Sequence, residues 1–302
     1  MQRGDGRPVA RTARTSDQPT ATQVLWVTGT RLVSQPSLIW PFLAIGIVYT
    51  VESTIGSVIQ WAGVTGWIAQ LIELPISLAA GMIIVFGWAI ATSGLSAIAI
   101  SEASGEPWSW RAEMERARNG PVSFVVFGAL IVTVMGALVV TFLLAVLGGA
   151  IVHAVVIEPF GYGASDRVQE LYVLVVVTLT VGYIGSRLSF SIPISVAEEC
   201  GAREGLLRSW QRTDGMLAQL VGIWIGVAVV AVVLSAPLLG YTLTTGWEPT
   251  SGVRMGWGLI MWSTVGPLVT YSIGYLYGTS RDAAQRHAAE EPSESDRSIP
   301  GT

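Results

Sequence analysis

Three ionisable side chains lie in or beside long apolar stretches, where a charge is expensive and usually has a task. Glu52 sits among Thr50, Ser53 and Thr54. In that setting a carboxylate could relay protons or bind a cation, or it could mark a wetted helix end near the outer surface. Glu73 precedes Leu74 and Pro75. Its simplest role is a negative charge at the start of an apolar helix, where the helix dipole favours it. Arg187 lies between Ser186 and Ser189. It could hold an anionic substrate or headgroup, pair with a carboxylate, or reach toward the interface on its long stem. Of the three, Arg187 is the first to test for function.

Familiar catalytic constellations are missing from the sequence. His153 and His287 have no metal-ligand partner at useful spacing. A lone His153 in an apolar run reads as a packed or interfacial residue before a ligand. Cys200 is the only cysteine, so the chain forms no internal disulfide and no multi-cysteine zinc site. The basic residues are 17 Arg without any Lys, which rules out a phosphate-loop lysine. There is no His-Glu-x-x-His helix and no Gly-x-Ser-x-Gly elbow. No enzyme activity, cofactor or metal is expected. The formal net charge of −4 argues against nucleic acid, which calls for a basic patch or stripe. The absence of lysine and an acidic C-terminal stretch suggest a high-salt or high-GC prokaryotic source, such as a haloarchaeon.

The elements that carry these residues are built for lipid. Hydrophobic residues make up 51% of the 302 and charged residues 13%, about half the usual soluble share of roughly 25%. Mean hydropathy is +0.56. A helix needs roughly 20 apolar residues to cross the hydrocarbon core. Six stretches qualify: Ser37–Gly56, Ile76–Ile100, Val122–Gly148, Leu171–Ser195, Leu217–Leu238 and Gly256–Gly278. They are apolar on every side, whereas barrel strands alternate over about 10 residues. The expected fold is all-α, a polytopic bundle of about six spans over residues 23–281. Residues 1–22 form a polar arm and 282–302 an acidic tail, both too polar to fold alone. The third stretch runs on without charge to Ile157. Either Gly148–Gly149 ends that span and 149–157 is a separate apolar segment, or the helix continues; the second reading is slightly favoured because no turn residues follow.

Arginine placement sets the orientation. Arg3, Arg7, Arg11, Arg14 and Arg31 precede the first span. Arg111, Arg116 and Arg118 follow the second, Arg203, Arg208 and Arg212 the fourth, and Arg281, Arg286 and Arg297 the sixth. These are 14 of the 17; the opposite loops hold only Arg167 and Arg254. The positive-inside rule then places both termini in the cytoplasm of a multi-pass cell-membrane protein. Residues 1–23 have no apolar signal-peptide core, so insertion is expected to use the first span. Trp61, Trp67, Trp110, Trp210, Trp247 and Trp257 fall at expected span edges, where indole rings favour the headgroup level. Gly222–Gly226 and Gly274–Gly278 have the spacing of close helix packing, and Pro41, Pro193 and Pro267 are expected to kink their spans.

The two inner linkers resemble each other. At an offset of 96, Glu102 meets Glu198, Gly105 meets Gly201 and Arg116 meets Arg212. A weaker third copy, Gln23–Ser34, carries Trp26 and Arg31 before the first span. The chain therefore reads as three units, each a short amphipathic helix and a hairpin of two spans. In the first linker Trp110, Met114 and Ala117 share one face. In the second, Leu206, Leu207 and Trp210 form the apolar side, Glu204 and Arg208 an i,i+4 pair, and Arg208 and Arg212 can meet lipid phosphates. These helices are expected to lie at the interface, as connectors capping the bundle or as a docking surface.

The second linker, Glu198-Glu199-Cys200-Gly201, Glu204-Gly205-Leu206-Leu207-Arg208-Ser209-Trp210, Arg212 and Gly215, resembles uncharacterised prokaryotic multi-pass proteins related to the membrane domain of glycerophosphodiester phosphodiesterases. The resemblance covers roughly Gln23 to Gly278, and its specific part is about 20 residues long. It implies a six-helix membrane module; catalysis in that family belongs to a separate soluble domain that this sequence does not contain. The first linker departs from the pattern at Trp110-Arg111-Ala112-Glu113. The expected function is a non-enzymatic module that organises lipids or a membrane or cytoplasmic protein partner. The alternative is a permease for a small solute or lipid.

Overall fold

A computed structural model describes residues 18–119, 121–152, 175, 176, 179, 180, 182–245 and 251–290. Helix α1 is Ala21–Ser34, and a 3-10 turn at Pro36–Ile39 leads into α2, Trp40–Trp61. Next come α3, Gly66–Ala103, α4, Trp110–Asn119, and α5, Pro121–Val152. Helix α6 is 182–188, followed by α7, Ser191–Glu198, and α8, Ala202–Arg212. The chain ends with α9, Leu217–Thr245, and α10, Ser251–Glu290. The described residues contain no strand. Among the described residues five helical stretches are long and apolar enough to cross a membrane: Pro36–Ile59, Gly66–Ala103, Ile131–Ala150, Leu217–Thr242 and Met255–Arg286. Within the expected span Leu171–Ser195, residues 171–174, 177, 178 and 181 lie outside the described residues, as do His153, the stretch beyond Val152, Arg167 and Trp247.

Several boundaries differ from expectation for physical reasons. Helix α3 has 38 residues, about 57 Å of rise, and begins ten residues before the expected Ile76. Helix α5, by contrast, follows the favoured reading and passes through Gly148–Gly149 to Val152; among its described side chains Thr141, Ala145 and Gly149, at i, i+4 and i+8, form a buried stripe. Helix α10 reaches Glu290, past the start of the expected tail at 282, carried by helix-forming alanines and the Asp282–Arg286 i,i+4 pair. The fourth stretch is interrupted. Ser189 and Phe190 form a turn, which places Pro193 in the first turn of α7, where its missing N–H costs nothing. Pro41 likewise sits in the first turn of α2 and kinks nothing. Pro75, Pro237 and Pro267 lie inside helices.

Helices α1, α4 and α8 gather at one end of the bundle, called here the linker end. The apolar core of α2, α3, α9 and α10 concentrates there. Apart from Ala80 on α3, its buried apolar residues run to Ile45 on α2, from Ala89 on α3, to Val227 on α9 and from Leu268 on α10. Both close-packing glycine pairs work within the chain. A Cβ on Gly274 would stand 3.1 Å from Ser96 Cα, and one on Gly278 3.1 Å from Ile100 Cα, so α10 lies backbone to backbone on α3. Gly222 and Gly226 receive Ala21 and Leu25, seating α1 against α9.

Candidate functional site at the linker end

Glu102, in the last turn of α3, is turned inward, with its side chain 13% exposed. Its Oε1 accepts from Arg31 Nε of α1, and its Oε2 from the Tyr271 hydroxyl of α10. Thr20 and Gln23 form a capping box that starts α1 in the register that brings Arg31 to this point.

Glu198 repeats the arrangement 96 residues on. It ends α7, and its side chain is 17% exposed. Tyr277 of α10 donates to Oε1 at 2.8 Å. Arg212 Nη1 lies 2.7 Å from the same oxygen, and Arg208 holds Oε2. Arg212 also donates to the Tyr277 hydroxyl at 2.6 Å, with its guanidinium 5.6 Å from the ring centre. Burial pushes the Glu198 carboxyl upward, but the hydrogen bonds from Tyr277 and Arg208 and the nearby Arg212 charge outweigh it. The carboxyl is held below its ordinary value.

The adjacent Glu199 caps α7 at φ 50, a left-handed conformation that turns the chain into α8 within three residues. Its carboxylate takes Arg116 of α4 at 2.5 Å, in the open. The three linker arginines thus share one task. Arg31 closes on the end of the hairpin that follows α1, Arg116 on the end of the hairpin that follows α4, and Arg212 on Tyr277 near the end of the hairpin that follows α8.

Arg187 is engaged by protein groups. Its side chain is 13% exposed. The guanidinium lies 5.2 Å from the Tyr183 ring centre and 5.4 Å from that of Trp210. It pairs with Asp214, beside the start of α9, and donates to Tyr183 Oη at 3.1 Å. Of the readings open to it from sequence, pairing with a carboxylate is the one the structure displays. Ser209 fixes the turn beside it, donating to Arg187 C=O at 2.8 Å and accepting from Phe190 N–H at 3.1 Å.

The face of α4 packs as expected, whereas that of α8 divides differently. On α4, Met114 fits against Gly94, Ala117 is buried, and Trp110 packs against the core. On α8 the buried face is Gly205 and Ser209, because α7 comes so close that a Cβ on Gly205 would lie 2.6 Å from Ser195 Oγ. Leu207 and Trp210 point outward. The expected Glu204–Arg208 pair forms, but Arg208 and Arg212 are also occupied by Glu198 rather than wholly free for phosphates.

Glu52 and Glu73 lie toward the opposite end. Both line a cleft of about 300 Å³ between α2 and α3, with Ser53, Ser57 and Ser77. Ser77 donates to Glu52 at 2.6 Å. Glu73 does not sit in a first helical turn as expected: α3 starts at Gly66 and has no acidic residue there. Among the described residues no group of three or more His, Cys, Asp or Glu could hold a metal ion.

Sequence reasoning overlooked Tyr271 and Tyr277. They look like ordinary span aromatics, yet a phenol in an apolar helix needs a partner for its hydroxyl. The repeated glutamates at span ends were the available clue. No family model matches the chain, and neither curated proteins nor solved structures show a match.

Proposed function

We propose that the chain is a non-enzymatic integral membrane module of six spans that organises lipids or partner proteins at the cytoplasmic face of the cell membrane. The fourth stretch, 171–195, helical at 182–188, joins the other five as a span. Arginine distribution orients both termini inward, and the resemblance of the second linker to membrane domains of the phosphodiesterase-related proteins supports a six-helix module. The observation that carries the reading is the outer surface of α1 and α8. Trp26 is 75% exposed and Val33 is exposed on α1, while Leu207 and Trp210 are exposed on α8, where Arg203 shares their face. Indole and aliphatic groups beside arginine suit the headgroup level of an anionic leaflet. The clamps hold these helices in place, so the surface is preformed.

A second reading, a permease, is favoured by the Glu52–Glu73 cleft. One preparation separates the two. The full chain is compared with a Trp26→Ser, Arg203→Gln, Leu207→Ser variant for retention of phosphatidylglycerol through purification, and both are placed in vesicles for proton-flux measurement. The module reading expects retention to fall several-fold in the variant and no flux in either. Undiminished retention, or a proton flux that Glu52→Gln abolishes, would count against it.

A further inference from the structure

Tyr271 and Tyr277 do the same chemistry on the same helix, but the surfaces around them differ. Tyr271 belongs to the α3–α10 interface, where Gly274 and Gly278 bring the two backbones together. Separating those helices would break a long, tight seam. Tyr277 stands where α10 meets the group formed by α5, α7 and α8. Among the described residues that group packs within itself and along α3, but it meets α10 through a short stretch of α7 and through Arg212 of α8. There Phe190 stacks at a tilt on Tyr277, with ring centres 5.6 Å apart. The Tyr277 hydroxyl donates to Glu198 and accepts from Arg212.

We propose that Tyr277 is a latch: α5, α7 and α8 form one body that rocks on its apolar seam with α3, and the Tyr277 hydroxyl holds that body shut against α10 at the linker end. The hydroxyl ties the last residue of α7 to the last residue of α8. Losing it removes two hydrogen bonds at once while leaving the ring in place. Arg208 and Arg212 are each more than two-fifths exposed, so once the hydroxyl is gone water can solvate them, and opening carries little electrostatic penalty. The Tyr271 clamp has no such freedom, because α3 and α10 cannot part around it.

The chain carries its own reporter. Cys200, the only cysteine, lies in the α7–α8 turn, 7% exposed and in one apolar core with Phe190 and Tyr277. Burial raises its thiol pKa, so it reacts slowly while the latch is shut. The test is the rate of Cys200 modification by a maleimide in the full chain in nanodiscs, with hydrogen exchange of peptides covering 191–212 as a second measurement. Tyr277→Phe should raise both rates roughly five-fold or more, the expected consequence of losing hydrogen bonds of ordinary strength. Tyr271→Phe should leave both near wild type. Wild-type rates in Tyr277→Phe would overturn the proposal, as would an equal rise in Tyr271→Phe, since that would mean general loosening rather than one latch.

Discussion

Replacing Gly278 with alanine sets two effects of known sign against each other. Within a helix the change is intrinsically favourable by up to about 1 kcal/mol, because alanine loses less backbone freedom than glycine. Against α3 it is unfavourable. The new Cβ would stand 2.7 Å from Ala103 Cβ and 3.1 Å from both Ile100 Cα and Ile100 O. Relaxed carbon contacts lie near 3.5–4.0 Å, so the helices must part by roughly 0.5–1 Å. Two of the three crowded atoms are backbone, and no rotamer change relieves them. A gap of that size forfeits a quarter to a half of the dispersion energy of each contact along the seam, and overpacking of this kind costs about 1–3 kcal/mol. The net expectation is destabilisation by about 1–2 kcal/mol. Gly81 supplies the control: it lies in the same helix as Ile100, and a Cβ there meets nothing within 4 Å. Gly81→Ala should therefore stabilise by about 0.5–1 kcal/mol. Thermal unfolding of both variants in one detergent reads the difference, with the melting temperature lower than wild type in Gly278→Ala and higher in Gly81→Ala. If Gly278→Ala melts at or above Gly81→Ala, the close α3–α10 contact is not what holds this end together.

Two further expectations concern the linker end. Because the Glu198 carboxyl is held below its ordinary value, its contribution is fully present above the unfolded carboxylate pKa of about 4.3 and is lost as pH falls through the lower folded value. The melting temperature of the wild type should thus drop more steeply below about pH 4.3 than that of Glu198→Gln; parallel pH profiles would contradict this. Ser209→Ala removes the buried hydroxyl that serves both Arg187 C=O and Phe190 N–H. A loss of about 1–3 kcal/mol is expected from the unpaired backbone groups, measured by denaturant unfolding, and an unchanged midpoint would show that water replaces the hydroxyl.

The helical class and the amphipathic linkers were legible in the sequence because each rests on short-range properties. Twenty apolar residues in a row predict a span wherever they occur, and the 3.6-residue period of Trp110, Met114 and Ala117 shows on α4 as a packed face. The i,i+4 pair of Glu204 and Arg208 needed only the helix itself. The short-range rule fails on α8, where polarity points to Leu206, Leu207 and Trp210 as the packed side. Gly205 and Ser209 look like surface residues by polarity, yet they are buried because small side chains let α7 come close. Glu73, just before the uncharged run from Ile76, reads as a charge at a helix start, but α3 begins at Gly66 and runs through Pro75.

What the residues alone determined was their preferred solvent: long uncharged runs hide their peptide groups inside helices and leave arginine at the ends. Which partners those end charges chose was decided only by the assembled helices. Glu102 and Glu198 are recognisable as repeat-related, but their Tyr271 and Tyr277 partners lie 169 and 79 residues away. Arg187, the foremost candidate for a ligand, became a paired and aromatic-flanked cation once α8 and Asp214 were brought beside it. Hydropathy is summed over neighbours in the chain, whereas a hydrogen bond needs two groups within about 3 Å in space, and only tertiary packing brings such distant residues together.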